Sequence, residues 1–348
     1  MSAPTQSDSV APKPGFGDRV SGLFKIEGAA IALVFLILVV LFMFTAPRAF
    51  FGYRIYMSFM ATVPPPLIIA LGLTLVATAG EMDLSFPSIV AFSSYVFCFL
   101  FQQYDMTWLA FIAALATGTV MGYINGLVVT KLGIPSLIAT LAMLFLWGGL
   151  VTVVSNGASL AIPEIQGSLI HTMLVGRIGG AFPVQMLWAI AISVLIWHVL
   201  NRHRFGENLL FIGDSLKVAK VVGISIDKEK IKLFTLMGFL SALAGVFLTL
   251  ETTTYFNQQG MGYLLTVVAA VFIGGTSIFG GSGKVAGTVF ASMIVAIIEA
   301  GLVASGVQGF WTRFFIGLVF IISVTMNTAI DDPDKVPLLR DIRSWARK

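Results

Sequence analysis

Ten apolar stretches divide this chain, each about as long as a membrane-spanning helix. A bilayer core needs about 20 apolar residues per helix. The stretches cover residues 28–46, 58–79, 86–104, 108–130, 137–156, 183–201, 231–251, 262–279, 285–305 and 310–329. Only 11% of the residues are charged and the mean hydropathy is +0.94, whereas a soluble domain carries about 25% charged residues. The sequence therefore predicts an all-α membrane protein with about ten transmembrane helices.

The basic residues predict the orientation of these helices. If the N-terminus is cytoplasmic and the segments alternate, 17 of the 21 Lys and Arg residues lie inside and four lie outside. This asymmetry follows the positive-inside rule and supports the number of spans. We expect a cytoplasmic tail at 1–27, a transmembrane domain at 28–330 and a second cytoplasmic tail at 331–348. The first 27 residues contain no apolar segment next to the start, so no cleavable signal peptide is expected.

The second stretch is interrupted by Pro64, Pro65 and Pro66. Three consecutive prolines lack backbone donors and clash with the preceding turn, so this span is broken or begins irregularly. Irregular backbone at membrane depth is tolerated where it is buried in protein or lines a wet cavity. Pro65 is therefore a candidate residue of a translocation pathway.

Glycines recur at close spacing in two regions. The fourth stretch contains Gly118, Gly122 and Gly126, and a second cluster lies between residues 274 and 283. Small residues at such spacing let helix backbones approach closely in lipid. The fourth and ninth stretches also share the tripeptides GTV and GLV and run in opposite directions, which hints at an inverted repeat.

No motif for catalysis, nucleotide binding or metal binding is complete. The segment Gly280–Val285 resembles a phosphate loop, but Ile278 stands where glycine is needed and Val285 where Ser or Thr is needed. The three histidines are not paired with another ligand at metal-binding spacing, and the single cysteine, Cys98, excludes an internal disulfide. We therefore expect no metal site and no enzymatic activity in this chain.

Polar residues within or beside the apolar stretches are candidates for function. Asn125 lies inside the fourth stretch, Asn156 near the end of the fifth and Glu299 near the outer end of the ninth. Together with Pro65 they are our predicted pathway residues. A proton-coupled carrier needs carboxylates near mid-membrane, and those of this chain lie near the interfaces. Asp83, in an inner turn, is expected to cap the third helix.

The longest polar island between apolar stretches is the segment 204–224, RFGENLLFIGDSLKVAKVVGI. It is too charged to cross a membrane and too short to form a soluble domain. An amphipathic segment of this kind lies at the membrane surface, either alone or with one face presented to a partner. The predicted orientation places it in the cytoplasm.

Several motifs together resemble the permease subunits of bacterial binding-protein-dependent ABC importers of the ribose/xylose/arabinose/galactoside type. They are GEMDLS (80–85), NGL (125–127), KLGIP (131–135), IATL (138–141), RFG (204–206), GD (213–214), Ala219, GI (223–224), LAG (243–245), FIGGT (272–276), GG (280–281) and GT (287–288). Two departures occur: Phe86-Pro87-Ser88 replaces a glycine-containing region, and Ser215 follows Gly213-Asp214 where that family usually has proline. Asp214 and Ser215 remain able to cap a helix.

The resemblance implies a bacterial inner-membrane channel made of two such permeases, as a homodimer or with a paralogue. Each permease would have an inverted-repeat core like that of vitamin B12 importers. Two cytoplasmic ATPases, which bind the ATP and Mg²⁺, would dock on a coupling segment at about 202–230, and a periplasmic protein would deliver a sugar or polyol. This chain itself would need no cofactor and would bind no nucleic acid.

The resemblance also assigns residues to ATPase coupling: Gly206, Glu207, Asn208, Gly213, Asp214, Ala219 and Gly223. We expect Ala219, Val222 and Gly223 to form a small, partly apolar docking face. The outer loop 251–259 is rich in uncharged hydrogen-bonding groups, as suits a neutral polyhydroxylated solute and equally any outer loop. The alternative function is an ion- or proton-coupled secondary transporter of a small polar solute, which also has broken helices and inverted repeats.

Overall fold

The computed structural model describes residues 28–331, with side chains to residue 325. The predicted tails therefore lie outside the described residues, apart from Asp331 at the end of the last helix. The first half contains α1 Ala29–Thr45, α2 Pro47–Phe50, α3 Tyr53–Thr62, α4 Pro64–Thr78, α5 Phe86–Tyr104, α6 Thr107–Lys131, α7 Ser136–Val154 and α8 Leu169–Val175. The second half contains α9 Val184–Arg202, α10 Arg204–Asp214, α11 Leu216–Val221, α12 Ile226–Thr252, α13 Tyr263–Ile273, α14 Val285–Ala304 and α15 Trp311–Asp331.

Six helices are long and apolar enough to cross a membrane: α5, α6, α7, α9, α12 and α14. The pair α3 and α4 passes the same test as one bent span, which makes seven. Three shorter apolar helices, α1, α13 and the described part of α15, coincide with the remaining predicted stretches. The structure is thus mostly helical, as the sequence predicts, with six to seven full-length candidate spans.

The break in the second span is confirmed. The axes of α3 and α4 meet at 47°, and α4 begins at Pro64. Prolines are tolerated there because the first turn of a helix has no intrahelical N–H bonds to lose. All residues of α4 except Pro66 are buried.

The eighth predicted span, 262–279, is too long. Its helix α13 ends at Ile273, and the chain then runs through non-helical residues to Lys284. Gly274 lies where α13 crosses α14, and a Cβ on Gly287 would lie 1.9 Å from the carbonyl oxygen of Gly274. Gly275 then takes a φ of +89°, which ends the helix.

The core is organised around α12, which packs against α4, α5 and α6. The predicted glycine contacts lie at the crossing of α6 and α12. A Cβ on Gly122 would lie 2.2 Å from the carbonyl oxygen of Phe234, and one on Gly238 would lie 2.2 Å from that of Gly118. The backbones touch, as the spacing of small residues predicts.

Short strands join the loops at the predicted outer end. Strand β1 (Leu160–Ala161) pairs with β4 (Thr254–Tyr255), and β2 (Arg177–Ile178) pairs with β3 (Phe182–Pro183), both antiparallel. Each ion pair between distant parts of the described chain joins segments that the sequence places on one side of the membrane. Lys131–Asp227 and Lys230–Glu81 lie at the predicted cytoplasmic end, and Arg177–Glu251 lies at the outer end.

Candidate functional site

The predicted surface segment forms two short helices, α10 and α11, that meet at Ser215. The ring nitrogen Nδ1 of His203 accepts from the backbone N–H of Phe205 at 3.1 Å and caps α10. The Ser215 hydroxyl accepts from the N–H of Val218 at 3.4 Å and caps α11. Capping by Ser215 was expected, whereas Asp214 is the last residue of α10.

The predicted coupling residues differ in exposure. Glu207, Asp214 and Gly223 are exposed, Asn208 and Gly213 are partly buried, and Gly206 and Ala219 are buried. A Cβ on Gly206 would lie 2.2 Å from the carbonyl oxygen of Val199, so this glycine lets α10 pack against the end of α9. Gly206 and Ala219 therefore act through packing inside this chain.

The expected docking face needs correction because Ala219 points inward with 0% exposure. The exposed apolar surface is formed instead by the other side chains of α11 and its C-terminal neighbour: Leu216, Val218, Val221 and Val222. Val221 is 88% exposed. We call these four residues the α11 patch. Its apolar character was masked in the sequence by the interleaved Lys217 and Lys220.

Gly223 ends α11 through its backbone conformation. Its φ is +83°, and no atom lies within 4 Å of a Cβ built there. The N–H of Gly223 bonds to the carbonyl of Lys220 at 3.1 Å, and the N–H of Ile224 bonds to that of Ala219 at 3.0 Å. This is a glycine C-cap, so a larger residue would be strained but not sterically blocked.

Backbones from three elements meet at what we call the inner junction: Thr78 at the end of α4, Gly213 near the end of α10, and Gly281 and Gly283 before α14. The N–H of Gly281 donates to the carbonyl of Thr78 at 2.9 Å. A Cβ on Gly213 would lie 2.0 Å from that carbonyl oxygen, and one on Gly283 would lie 2.1 Å from Oγ1 of Thr78. The surface helices thus contact the broken span directly.

Asn125 lies in a fully buried hydrogen-bond network. Its Nδ2 donates to the Ser85 hydroxyl at 2.7 Å, and its Oδ1 accepts from Nε1 of Trp147 at 3.0 Å. The Ser85 hydroxyl in turn donates to Oδ1 of Asp83 at 2.6 Å. Both ends of the Asn125 amide are therefore engaged inside the protein, and a pathway role would require this network to open.

Asp83 does not cap α5, the helix of the third predicted stretch, in the expected way. Its Oδ1 accepts from the N–H and hydroxyl of Ser85, which precedes α5, while its Oδ2 has no partner among the described residues. Burial raises the pKa of Asp83 to about 6, although the bonds from Ser85 act in the opposite direction. The side chain is held within the inner turn 80–85.

The other predicted pathway residues lie on separate elements. Pro65 is buried in the first turn of α4, Asn156 is exposed after α7 with a φ of +51°, and Glu299 is exposed on α14. A cavity of about 100 Å³ lies beside the break. Its lining is apolar and comes from four elements: Phe35, Tyr56, Phe59, Met60, Val63, Met186 and Met293. Pro65 is not part of this lining.

The outer end of the broken span is held by Gln185, a residue that the sequence did not single out. Gln185 is fully buried in the first turn of α9, and its Nε2 donates to the carbonyl of Ala61. The same Nε2 lies 3.3 Å from Oε2 of Glu251, which forms an ion pair with Arg177. Burial lowers the pKa of His171, whereas the negative charge of Glu251 acts in the opposite direction and raises it.

Neither the geometry nor the composition of these sites indicates bond-making chemistry. No group of three or more His, Cys, Asp or Glu side chains that could hold a metal ion occurs within the described residues. The arrangement consists of contacts between backbones, buried polar bonds and one exposed apolar patch.

Comparison with known proteins agrees with the motif resemblance. Residues 55–324 match the family described as branched-chain amino acid transport system / permease component. The ribose import permease protein RbsC of Escherichia coli K12 is 28% identical over 300 residues, covering 85% of this chain and 92% of the relative. The fructose import permease protein FrcC of Rhizobium meliloti is 29% identical over 309 residues, covering 86% of this chain and 85% of the relative. The ribose import permease protein RbsC of Bacillus subtilis is 32% identical over 263 residues, covering 75% of this chain and 80% of the relative.

Proposed function

Because this chain belongs to the branched-chain amino acid transport-type permease family, we propose that it forms half of the membrane pathway of an ATP-driven importer for a sugar or related polyol. Transport would proceed by alternating access, in which the spans switch between outward-open and inward-open packings. The chain would supply two packing states, and the chemistry of ATP hydrolysis would take place in a partner.

The observation that carries this proposal is the family match over residues 55–324, joined to an exposed apolar patch on the surface helices. The α11 patch suits docking into a groove of a soluble partner, since apolar side chains exposed together mark interaction sites. In the importer that we propose, that partner would be a cytoplasmic ATPase, which would bind the ATP and Mg²⁺.

We further propose about ten membrane spans in an inverted-repeat arrangement like that of vitamin B12 importers. The six long helices, the bent pair α3–α4 and the three shorter apolar helices together account for ten. A second permease, identical or paralogous, would complete the channel in the bacterial inner membrane, and a periplasmic binding protein would deliver the solute. Both termini would lie in the cytoplasm.

The class of solute is proposed from the relatives, whose names specify ribose and fructose import. The outer loop between Glu251 and Gln259 contains several uncharged hydrogen-bonding side chains. In the structure Gln259 is buried and donates to Ser94 and Thr249, and Asn257 donates to Thr152, so the proposal of a sugar rests on the relatives and not on this loop.

The test begins with affinity purification of the tagged chain from its native membranes in mild detergent, with partners identified by mass. We expect a stoichiometric protein carrying a complete ATP-binding motif. Uptake of radiolabelled ribose and fructose is then measured in cells with and without the gene for that partner. Uptake that requires the partner supports the importer.

The alternative function, a secondary transporter, predicts a different result. Uptake that survives loss of every ATPase partner but collapses with an ionophore would identify an ion- or proton-coupled secondary transporter. The conclusion would then have to be abandoned.

A further inference from the structure

The three prolines at the break leave backbone carbonyls without helical donors. In a continuous helix the N–H groups of residues 64–66 would bond to the carbonyls of Met60, Ala61 and Thr62, and proline has no N–H. Gln185 replaces one of these donors, because its Nε2 donates to the carbonyl of Ala61. This bond joins α9 to the broken span, 124 residues away in the sequence.

Gln185 also belongs to a polar chain that reaches the surface. Its Nε2 lies 3.3 Å from Oε2 of Glu251 near the end of α12, and Glu251 pairs with Arg177 in β2. The Arg177 side chain is 34% exposed and that of Glu251 is 26% exposed, whereas Gln185 is completely buried. We call Arg177, Glu251, Gln185 and the carbonyl of Ala61 the outer chain.

The helix below the break is suited to carry movement over a distance. All of α4 except Pro66 is buried, and its inner end, Thr78, is held in the inner junction by Gly213 and Gly281. Its middle is tied to α14 by a hydrogen bond of 2.9 Å between the hydroxyls of Thr74 and Thr288. The inner end of α4 is therefore fixed at the surface helices, and Gln185 holds the end of α3, which directly precedes α4, through the carbonyl of Ala61.

The segment above the break has room to move. The apolar cavity is lined on one side by a single face of α3 and the residue after it, which carries Tyr56, Phe59, Met60 and Val63. Methionines from α9 and α14, Met186 and Met293, lie opposite. Methionine side chains are flexible and accommodate shifts of the packing around them.

We propose that Gln185 is a positioning residue that ties α3 and α4 to the outer face. A conformational change set by the nucleotide state of the partner ATPase would then pass from the surface helices along α4 to the outer end. The proposal rests on the proposed function, because it needs a partner ATPase beneath α10 and α11. Gln185 touches no solute in this scheme. It fixes the position of α3 relative to α4, so that the two helices move together.

The experiment uses the intact complex of this chain with its co-purified ATPase in lipid nanodiscs. Cys98 is replaced by alanine, and Arg54→Cys, at an exposed position of α3, carries an environment-sensitive bimane label. Emission is compared between the nucleotide-free complex and the complex trapped with ADP and vanadate. We expect the emission maximum to shift between these states when Gln185 is present.

The decisive variant is Gln185→Leu, which keeps the approximate volume but removes the donor. We expect it to retain vanadate-sensitive ATP hydrolysis within about twofold of the parent while losing most of the emission shift. Adding Pro65→Ala returns an N–H opposite the Ala61 carbonyl and should restore part of the shift. A role confined to stability would lower assembly and hydrolysis together and leave the shift in the surviving complex.

Gln102→Leu is the matched control, because Gln102 also donates from the outer end to a backbone carbonyl, that of Ala161, at 2.8 Å. It should leave the shift unchanged. If Gln185→Leu fails to assemble, Arg177→Ala interrupts the outer chain from its exposed end and should reduce the shift.

A normal shift in Gln185→Leu, or in Arg177→Ala where the first variant does not assemble, overturns the proposal, as does a parent complex that shows no shift. Either result leaves the importer function intact, provided that the parent complex contains the ATPase and hydrolyses ATP. Failure of the proposed function would instead appear as the absence of any ATPase partner.

Discussion

Gly213 shows how a single missing side chain lets the surface helices touch the broken span. A Cβ at this position would overlap the Thr78 carbonyl oxygen at 2.0 Å and the Gly281 nitrogen at 2.4 Å. Both neighbours are backbone atoms, so they cannot move aside as a side-chain end can. The contact links α10 to α4 without any intervening side chain.

We therefore predict that Gly213→Ala lowers uptake strongly and destabilises the protein by about 1–3 kcal/mol, the usual cost of overpacking. The measurements are uptake in cells and thermal unfolding of the purified complex. Gly149→Ala is the control, since no atom lies within 4 Å of a Cβ there, and it should behave like the parent. Normal uptake in Gly213→Ala would exclude a close contact at the inner junction.

Asp83 leads to a prediction about pH. Its pKa is raised from 3.8 to about 6 by burial, so the folded protein binds a proton more tightly than the unfolded chain between these values. The stability contribution is present below pH 3.8 and is lost as the pH rises through about 6. A shift of this size corresponds to about 3 kcal/mol.

The check is Asp83→Asn, which retains an oxygen to accept from Ser85 and does not titrate. Thermal unfolding is measured from pH 4 to pH 7 in detergent. We expect the parent to lose stability relative to this variant across that interval and the variant to be at least as stable at pH 7. Parallel profiles for the two proteins would show that Asp83 keeps an ordinary pKa.

At the level of elements, the α11 patch contains four of the five large apolar side chains that are exposed between residues 202 and 230. We predict that Val221→Asp weakens ATPase recovery by about tenfold or more, because a charge buried at an interface costs more than about 1.4 kcal/mol. The measurement is the ratio of ATPase to permease after affinity purification. Lys228→Asp, a charge reversal outside the patch, is the control, and equal losses in both variants would argue against docking through α11.

The elements differ in how far the sequence could predict them. Apolar length and the three prolines were enough to predict the broken span and nine further apolar helical stretches. The sequence could not predict the partner of the Ala61 carbonyl, which is 124 positions away, or the contacts of Gly213 with Thr78 and Gly281, which also lie in distant parts of the sequence. The inward orientation of Ala219 was missed for a different reason. Lys217 and Lys220 share one face of α11, and because apolar side chains occupy the rest of this short helix, the sequence pattern does not indicate which of them packs inward.

At the scale of the whole molecule, two sets of contacts lie at opposite ends of the broken span: the outer set reaches Ala61 at the end of α3, and the inner set reaches Thr78 at the end of α4. Arg177, Glu251 and Gln185 hold the outer end of the broken span, and Gly213 and Gly281 hold its inner end. This arrangement is useful to a transporter only if the two ends lie on opposite sides of the membrane. The distribution of Lys and Arg residues independently predicts that the two ends lie on opposite sides of the membrane.

Cysteine labelling tests this requirement directly. In a Cys98→Ala background, Asn156→Cys and Asp214→Cys place single thiols at exposed positions near the outer and inner ends. A membrane-impermeant maleimide should label Asn156→Cys from outside spheroplasts and Asp214→Cys only in inside-out vesicles. Detergent-solubilised samples, in which both must react, control for thiol reactivity. Labelling of both sites from one side would mean that α9, the one proposed span between them, does not cross the membrane, and the assignment of Gln185 and Gly213 to opposite faces would then fail.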